Sequence, residues 1–239
     1  MKKIIALTES EFKVFLREPM AGAFIVLFPL LILIGSGVIN GNQEVVEDML
    51  PSNIGLTMLA ASLMGITLNL AIYRENKVLK KFQTTTIPPT TILFAEFNVL
   101  YLFSIIGIIV EILFSIIIFK IQLQITFWLF LIDLTLCAIY FFTLGFLLSA
   151  SIAKTKSVHA ISSILFCVMM IFNVTPLEND KLPVIIKIFS NIMPLTQARY
   201  LFTYDILGKV YDYRMYSYIY ILLSILIFMV IAKKNFKWE

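Results

Sequence analysis

Six stretches of this chain are each long and apolar enough to cross a lipid bilayer, and no other feature limits its fold so tightly. They cover residues 21–39, 54–73, 92–119, 125–153, 157–174 and 216–232. A helix crossing the hydrocarbon needs roughly 20 apolar residues, so six crossings use about half of a chain of 239 residues. The remainder is too short for a separate soluble domain. Composition agrees: 60% of residues are hydrophobic and 14% are charged, whereas a soluble domain carries about 25% charged residues. The expectation is an all-α integral membrane protein, a single transmembrane domain over residues 1–239, with the bilayer as its solvent.

The N-terminus does not read as a secretory signal. Lys2 and Lys3 precede an apolar stretch, residues 4–7, that is too short, and charged residues follow through Glu18. Residues 4–18 read instead as a helix lying on the membrane. Thr8 and Glu11 fit a capping box, and Leu7 with Phe12 fits the accompanying hydrophobic staple. Phe12, Phe15 and Leu16 fall on one helical face, apart from Glu9, Lys13 and Arg17. Pro19 closes this helix. Pro29 interrupts the first span, and Gly55, Ala60, Ala61, Ser62 and Gly65 suit the second to close helix packing. Residues 40–53 read as a polar loop holding Glu44, Glu47 and Asp48 and no Lys or Arg.

Six spans place both termini on one side. Of the 19 Lys and Arg residues, Lys120, Lys181, Lys187, Arg199, Lys209 and Arg214 lie on the other side, and the rest accompany the termini. The excess of basic residues marks the cytoplasmic face, so both termini are expected in the cytoplasm. The net charge of +4 follows from the same loops, and nucleic acid is not an expected partner.

Catalytic and metal-binding patterns are missing from the sequence. Its single histidine, His159, has no acidic or cysteine neighbour, and Cys137 and Cys167 sit in apolar runs without nearby ligands. No GxxxxGK[ST] phosphate loop occurs. The chain is therefore not expected to be an enzyme, no metal or cofactor is expected in it, and any ATP is bound by another chain.

Three regions carry functional candidates. The basic loop after span two contains Arg74, Glu75, Lys77, Val78, Leu79, Lys80, Lys81 and Phe82. As a helix it places Val78, Leu79 and Phe82 on one face and the lysines on another. Such a helix lies in the headgroups, docks on a partner protein, or only sets topology, and periodicity leaves these readings open. Between spans five and six, Pro176, Pro183 and Pro194 break up short apolar pieces, which are expected as half-helices dipping into the outer leaflet, the alternative being a folded external loop with an amphipathic helix. Finally, three acids lie in or beside apolar runs. Glu96 is expected to reach water near the cytoplasmic end of span three, while Glu111 and Asp133 lie deeper. An intramembrane acid faces a bundle interior, a cavity or a partner. A polar substrate path, a proton-coupled site and a neutral interhelical hydrogen bond all remain open for them.

Taken with their order and sides, these elements resemble the ABC-2 type permeases, the membrane subunits of a class of bacterial ABC exporters. The carriers are the interfacial helix at 4–18, the run Arg74-Glu75…Leu79…Phe82…Pro88, and the run Leu182-Pro183…Ser190…Pro194-Leu195-Thr196 before the last span. The glycine of the family's first motif is absent; Lys77 and Val78 stand there. The resemblance implies a pair of permease subunits and two ATPase subunits carrying ATP and Mg. It makes residues 74–88 the coupling helix, with Val78, Leu79 and Phe82 docking and Arg74, Glu75, Lys77, Lys80 and Lys81 making polar contacts. The interfacial helix, through Phe12, Phe15, Leu16 and Arg17, would add a second contact. It also implies residence in the bacterial cytoplasmic membrane and export of a hydrophobic or amphipathic cargo: a peptide toxin, an antimicrobial peptide or a drug, with resistance as one outcome. The competing class is an ion-coupled secondary transporter or channel working through Glu111 or Asp133.

Overall fold

A computed structural model describes residues 2–17, 19–40, 43–78, 89–152, 154–174, 183–209 and 213–235. Every regular element among them is helical. Helix α1 covers Lys2–Arg17 and α2 covers Pro19–Asn40. Span two is composite: α3 at Gln43–Ala60, a π-helical turn at Ala61–Ile66, and α4 at Thr67–Glu75. Helices α5 (Pro89–Phe119), α6 (Phe127–Ser151) and α7 (Thr155–Val174) follow. Two shorter helices, α8 (Val184–Ile192) and α9 (Pro194–Leu207), precede α10 (Arg214–Asn235). Six helices among the described residues are long and apolar enough to cross a membrane.

Span two forms the axis of the bundle. Its window Gln43–Glu75 is buried along most of its length, while α2, α5, α7 and α10 expose most of theirs. This follows from residue size. The small residues of span two let neighbouring helices approach closely, and the large Ile, Leu and Phe side chains of the outer helices face outward as lipid-facing side chains do. Helices α2, α5, α6, α7 and α9 all pack on it.

Two boundaries differ from the sequence expectation. Residues 43–53 are helix rather than loop. Val46, Leu50 and Ile54 repeat at helical spacing and are fully buried, while Glu44 and Asp48 stay exposed. An amphipathic turn of this kind extends span two beyond its apolar run. Helix α1 already begins at Lys2, so Thr8 lies inside it and caps nothing. Glu11, which a capping box would turn toward the helix start, instead accepts a hydrogen bond from the Tyr73 hydroxyl at 2.7 Å.

The bundle has two ends. At the end bearing the chain termini, Asn235 reaches Ser151 and Arg74 reaches the last turn of α6. At the distal end, Lys209 pairs with Asp48 at 2.6 Å, and the amide of Gln43 donates to the Lys120 carbonyl. There the backbone amides of Gln124 and Thr126 donate to the carbonyls of Ile206 and Asp205, occupying acceptors that α9 leaves free at its C-terminus. Gly208 stops α9 at φ 65°, and its amide donates to the Tyr204 carbonyl. That left-handed conformation is open to glycine at little cost.

Candidate functional site

At the terminal end, α1 is clamped to α5 by aromatic contacts. Phe12 and Phe15 lie 5.3 and 4.3 Å from the Phe103 ring, centre to centre. Leu16 does not share that contact; with Val14 it remains exposed on the rim. The apolar side of α1 is therefore divided, part facing the bundle and part facing out. The Arg17 side chain lies outside what is described.

Between α1, α4 and α5 lies a cleft lined by Glu11, Val14, Phe15, Asn69, Ile72, Tyr73, Glu96 and Val99. Glu96 is only 2% exposed, against the expectation that it reaches water. Its two carboxylate oxygens accept from the Asn69 amide at 3.1 and 3.2 Å. Helix α1 and span two close over it, and the amide supplies part of the solvation that water would otherwise give.

The basic segment that follows span two begins directly below. Helix α4 ends at Glu75, Asn76 and Lys77 make a turn, and Val78 is half-buried. Leu79, Lys80, Lys81, Phe82 and Pro88 lie outside the described residues. Glu75 and Lys77 face solvent. Arg74 differs from the polar docking role that the resemblance implies: its guanidinium turns into the protein. One nitrogen donates to the Ser149 carbonyl at 2.8 Å, and the other donates to the Ile152 carbonyl. Both acceptors belong to the end of α6, where helix carbonyls lack intrahelical donors and the macrodipole favours a cation.

Glu96, Glu111 and Asp133 are not brought together. Glu111 is fully buried on α5 and accepts a hydrogen bond from Thr57 of α3. It lies 15 residues beyond Glu96 on one helix, or about 22 Å at 1.5 Å per residue. Asp133 forms a third, separate knot near the distal end. Each acid is held by the helices packed directly against it, as a low-dielectric surrounding demands.

The knot around Asp133 contains residues that the sequence reading did not single out. The Tyr218 hydroxyl lies 2.8 and 2.7 Å from its two oxygens. Arg214 reaches Asp133 at 3.4 Å and Asp205 at 3.2 Å, and its guanidinium lies 3.7 Å from the centre of the Tyr204 ring. Asp133 and Asp205 are both fully buried. Burial, and then the neighbouring Asp133 carboxyl, push Asp205 up to about 8, while Arg214 pulls it down. The usable signal was the rule that an intramembrane acid has a named partner: Arg214 opens the last span, and Tyr218 follows it by one helical turn.

The proline motif folds into the two short helices. Pro183 precedes α8 and Pro194 occupies the first turn of α9, where its missing N–H costs nothing. Leu195 is fully buried against Gly55, and Thr196 is also buried. Helix α9 is buried among α3, α6 and α10, whereas α8 exposes Val184, Ile185, Ile188 and Phe189.

His159 is exposed and lies 3.3 Å from the Ser163 hydroxyl. Cys137 is buried and Cys167 exposed, and neither is in a disulfide. Among the described residues, no group of three or more His, Cys, Asp or Glu side chains is placed to hold a metal ion.

The model of one protein family, described as ABC-2 type transporter, matches residues 2–207. That stretch takes in α1 through α9 and stops short of Arg214 and α10. No curated protein matches the chain.

Proposed function

The chain belongs to the ABC-2 type transporter family, and on that premise we propose that two copies, or one copy and a homologous permease, pair above two ATPase subunits and export a hydrophobic or amphipathic substrate. A permease of this family is the membrane component of an ABC transporter and is not itself catalytic. In this reading the partner ATPases hold ATP and Mg, residues 75–82 dock on them, and α1 adds a second contact. The complex sits in a bacterial cytoplasmic membrane with both termini in the cytoplasm, as the distribution of basic residues indicates.

The observation that carries the reading is the convergence, at one end of the bundle, of α1, the end of α6 and the start of the coupling segment. A partner pushing on that end acts on the central span directly. Such a bundle has two arrangements whose balance a ligand bound elsewhere shifts. The cargo proposal, a peptide toxin, antimicrobial peptide or drug, comes from the family resemblance, since the apolar faces that the spans expose are those that face lipid.

The test is to purify the chain from its native membrane and assay for an accompanying ATPase and ATP-dependent export of an amphipathic peptide. Leu79→Asp and Phe82→Asp are expected to abolish both coupling and export while the protein still inserts. Full export by these variants overturns the docking role. The ion-coupled alternative draws on the buried Glu111 and Asp133; it predicts gradient-driven flux in liposomes holding this chain alone.

A further inference from the structure

The first residue of the coupling segment is bound to a different span from the one that carries it. Arg74 belongs to α4, yet both of its charge-assisted hydrogen bonds described above go to α6, at Ser149 and Ile152. About two turns deeper along α6, the same two spans meet again. Ser62 of the π-helical turn donates to the Phe141 carbonyl, and Gly145 lies directly against Ser62 and Thr67. Span two and the terminal half of α6 are thus fastened at two heights, about eight residues apart along α6. A π-helical turn, a form frequent at functional sites, separates α4 from the rest of span two. At its other end, α6 carries Asp133, which Tyr218 and Arg214 tie to α10.

From this geometry we infer that Arg74 is a positioning residue: it acts as a clasp that makes span four move with the coupling segment, rather than as a contact for the ATPase. This rests on the reading of residues 74–82 as the coupling segment. The chemistry suits a mechanical tie. A guanidinium presents several donors in a rigid fork, and the carbonyls it meets at a helix end have no intrahelical donor. Displacing α4 without α6 would break two charge-assisted bonds and leave those carbonyls unanswered. Lysine carries one compact ammonium group and cannot reproduce the fork, so it is expected to hold one carbonyl at a time.

The experiment uses the wild-type chain, Arg74→Gln and Arg74→Lys, each purified in nanodiscs with the ATPase that accompanies it. Amide hydrogen exchange is followed over residues 71–78 and 146–152, without nucleotide and with ATP and vanadate. In the wild type both segments change exchange on trapping. In Arg74→Gln the complex still assembles and 71–78 still responds, while the response of 146–152 falls by about fivefold or more, within the usual range of a coupling between sites. Arg74→Lys recovers part of it. Equal responses of both segments in Arg74→Gln overturn the clasp. So does loss of the ATPase from Arg74→Gln with unchanged exchange at 146–152 in the isolated permease, which makes Arg74 a docking contact. A wild-type chain that captures no ATPase overturns the family-based partner instead. The isolated permease then decides the clasp: faster exchange at 146–152 in Arg74→Gln supports it, and unchanged exchange rejects it.

Discussion

Replacing Gly145 with alanine tests the contact between span four and the π-helical turn, and the structure sets its size. A Cβ at this position would lie 2.6 Å from both the Ser62 and Thr67 hydroxyl oxygens and 2.9 Å from a methyl group of Ile66. None of these is the free end of a long side chain. Ser62 donates to the Phe141 carbonyl, and Thr67 donates to the Ser62 carbonyl at 2.8 Å. Rotating either hydroxyl away leaves a buried polar group unanswered, at about 1–3 kcal/mol each. Holding both in place forces the helices apart, and overpacking costs about 1–3 kcal/mol. The chain takes the cheaper course, so the loss is about 1–3 kcal/mol. At about 2–4 °C per kcal/mol for a chain of this size, Tm falls by about 2–12 °C. Thermal unfolding in nanodiscs, followed by intrinsic fluorescence, reads this directly. Adding Ser62→Ala removes one of the clashing oxygens and is expected to recover part of the loss, so the pair is non-additive. A Gly145→Ala protein melting within about 2 °C of wild type, with Ser62→Ala adding its full separate cost, refutes the close approach.

Two further predictions concern the distal knot. Arg214→Leu leaves Asp133 buried without its cation and should cost about 3–5 kcal/mol; adding Asp133→Asn should restore part of the lost thermal stability, and no restoration would show that the two groups do not act together. The second is a dependence on pH. The carboxyl of Asp205 rises from 3.8 to about 8 on folding, so the folded chain holds a proton that the unfolded chain has released between those values. Its stabilising contribution is full below about pH 4 and is lost as pH rises through about 8. The Tm of the wild type should therefore decline from pH 6 to pH 9 more steeply than that of Asp205→Asn, and parallel profiles would contradict it.

The spans were legible because their signal is simple. An uninterrupted apolar run of this length has few alternatives, and each of the six runs corresponds to a long helix. Their ends were less so. Residues 43–53 carry Glu44, Glu47, Asp48 and Pro51, all of which read locally as loop. The helix persists there because Val46, Leu50 and Ile54 continue the inward stripe, so tertiary burial outweighs local preference. Helix α1 was visible as a pattern, but its start was misplaced, since Thr8 and Glu11 form a capping signature that residues 2–7 override by being helical themselves.

The site was less legible than the fold. Asp133 could be flagged as an expensive residue, but Asp205 and Arg214 lie more than 70 residues away and outside the apolar core of any run. No spacing rule links them; only the packing of α6, α9 and α10 does. Arg74 was legible as part of a motif, and its direction was not. A guanidinium beside a basic loop reads as solvent-facing until the end of α6 is seen beneath it.

The central claim is that work done by an ATPase enters this chain at the segment beginning with Arg74. The most direct measurement places a photoreactive amino acid at Val78 or, as the control, at the exposed Met215 of the distal end. Each variant is irradiated in native membranes, and the adducts are identified by mass spectrometry. The account predicts ATPase adducts from Val78 and none from Met215. ATPase adducts from Met215, or only lipid adducts from Val78 while the ATPase co-purifies, would contradict it.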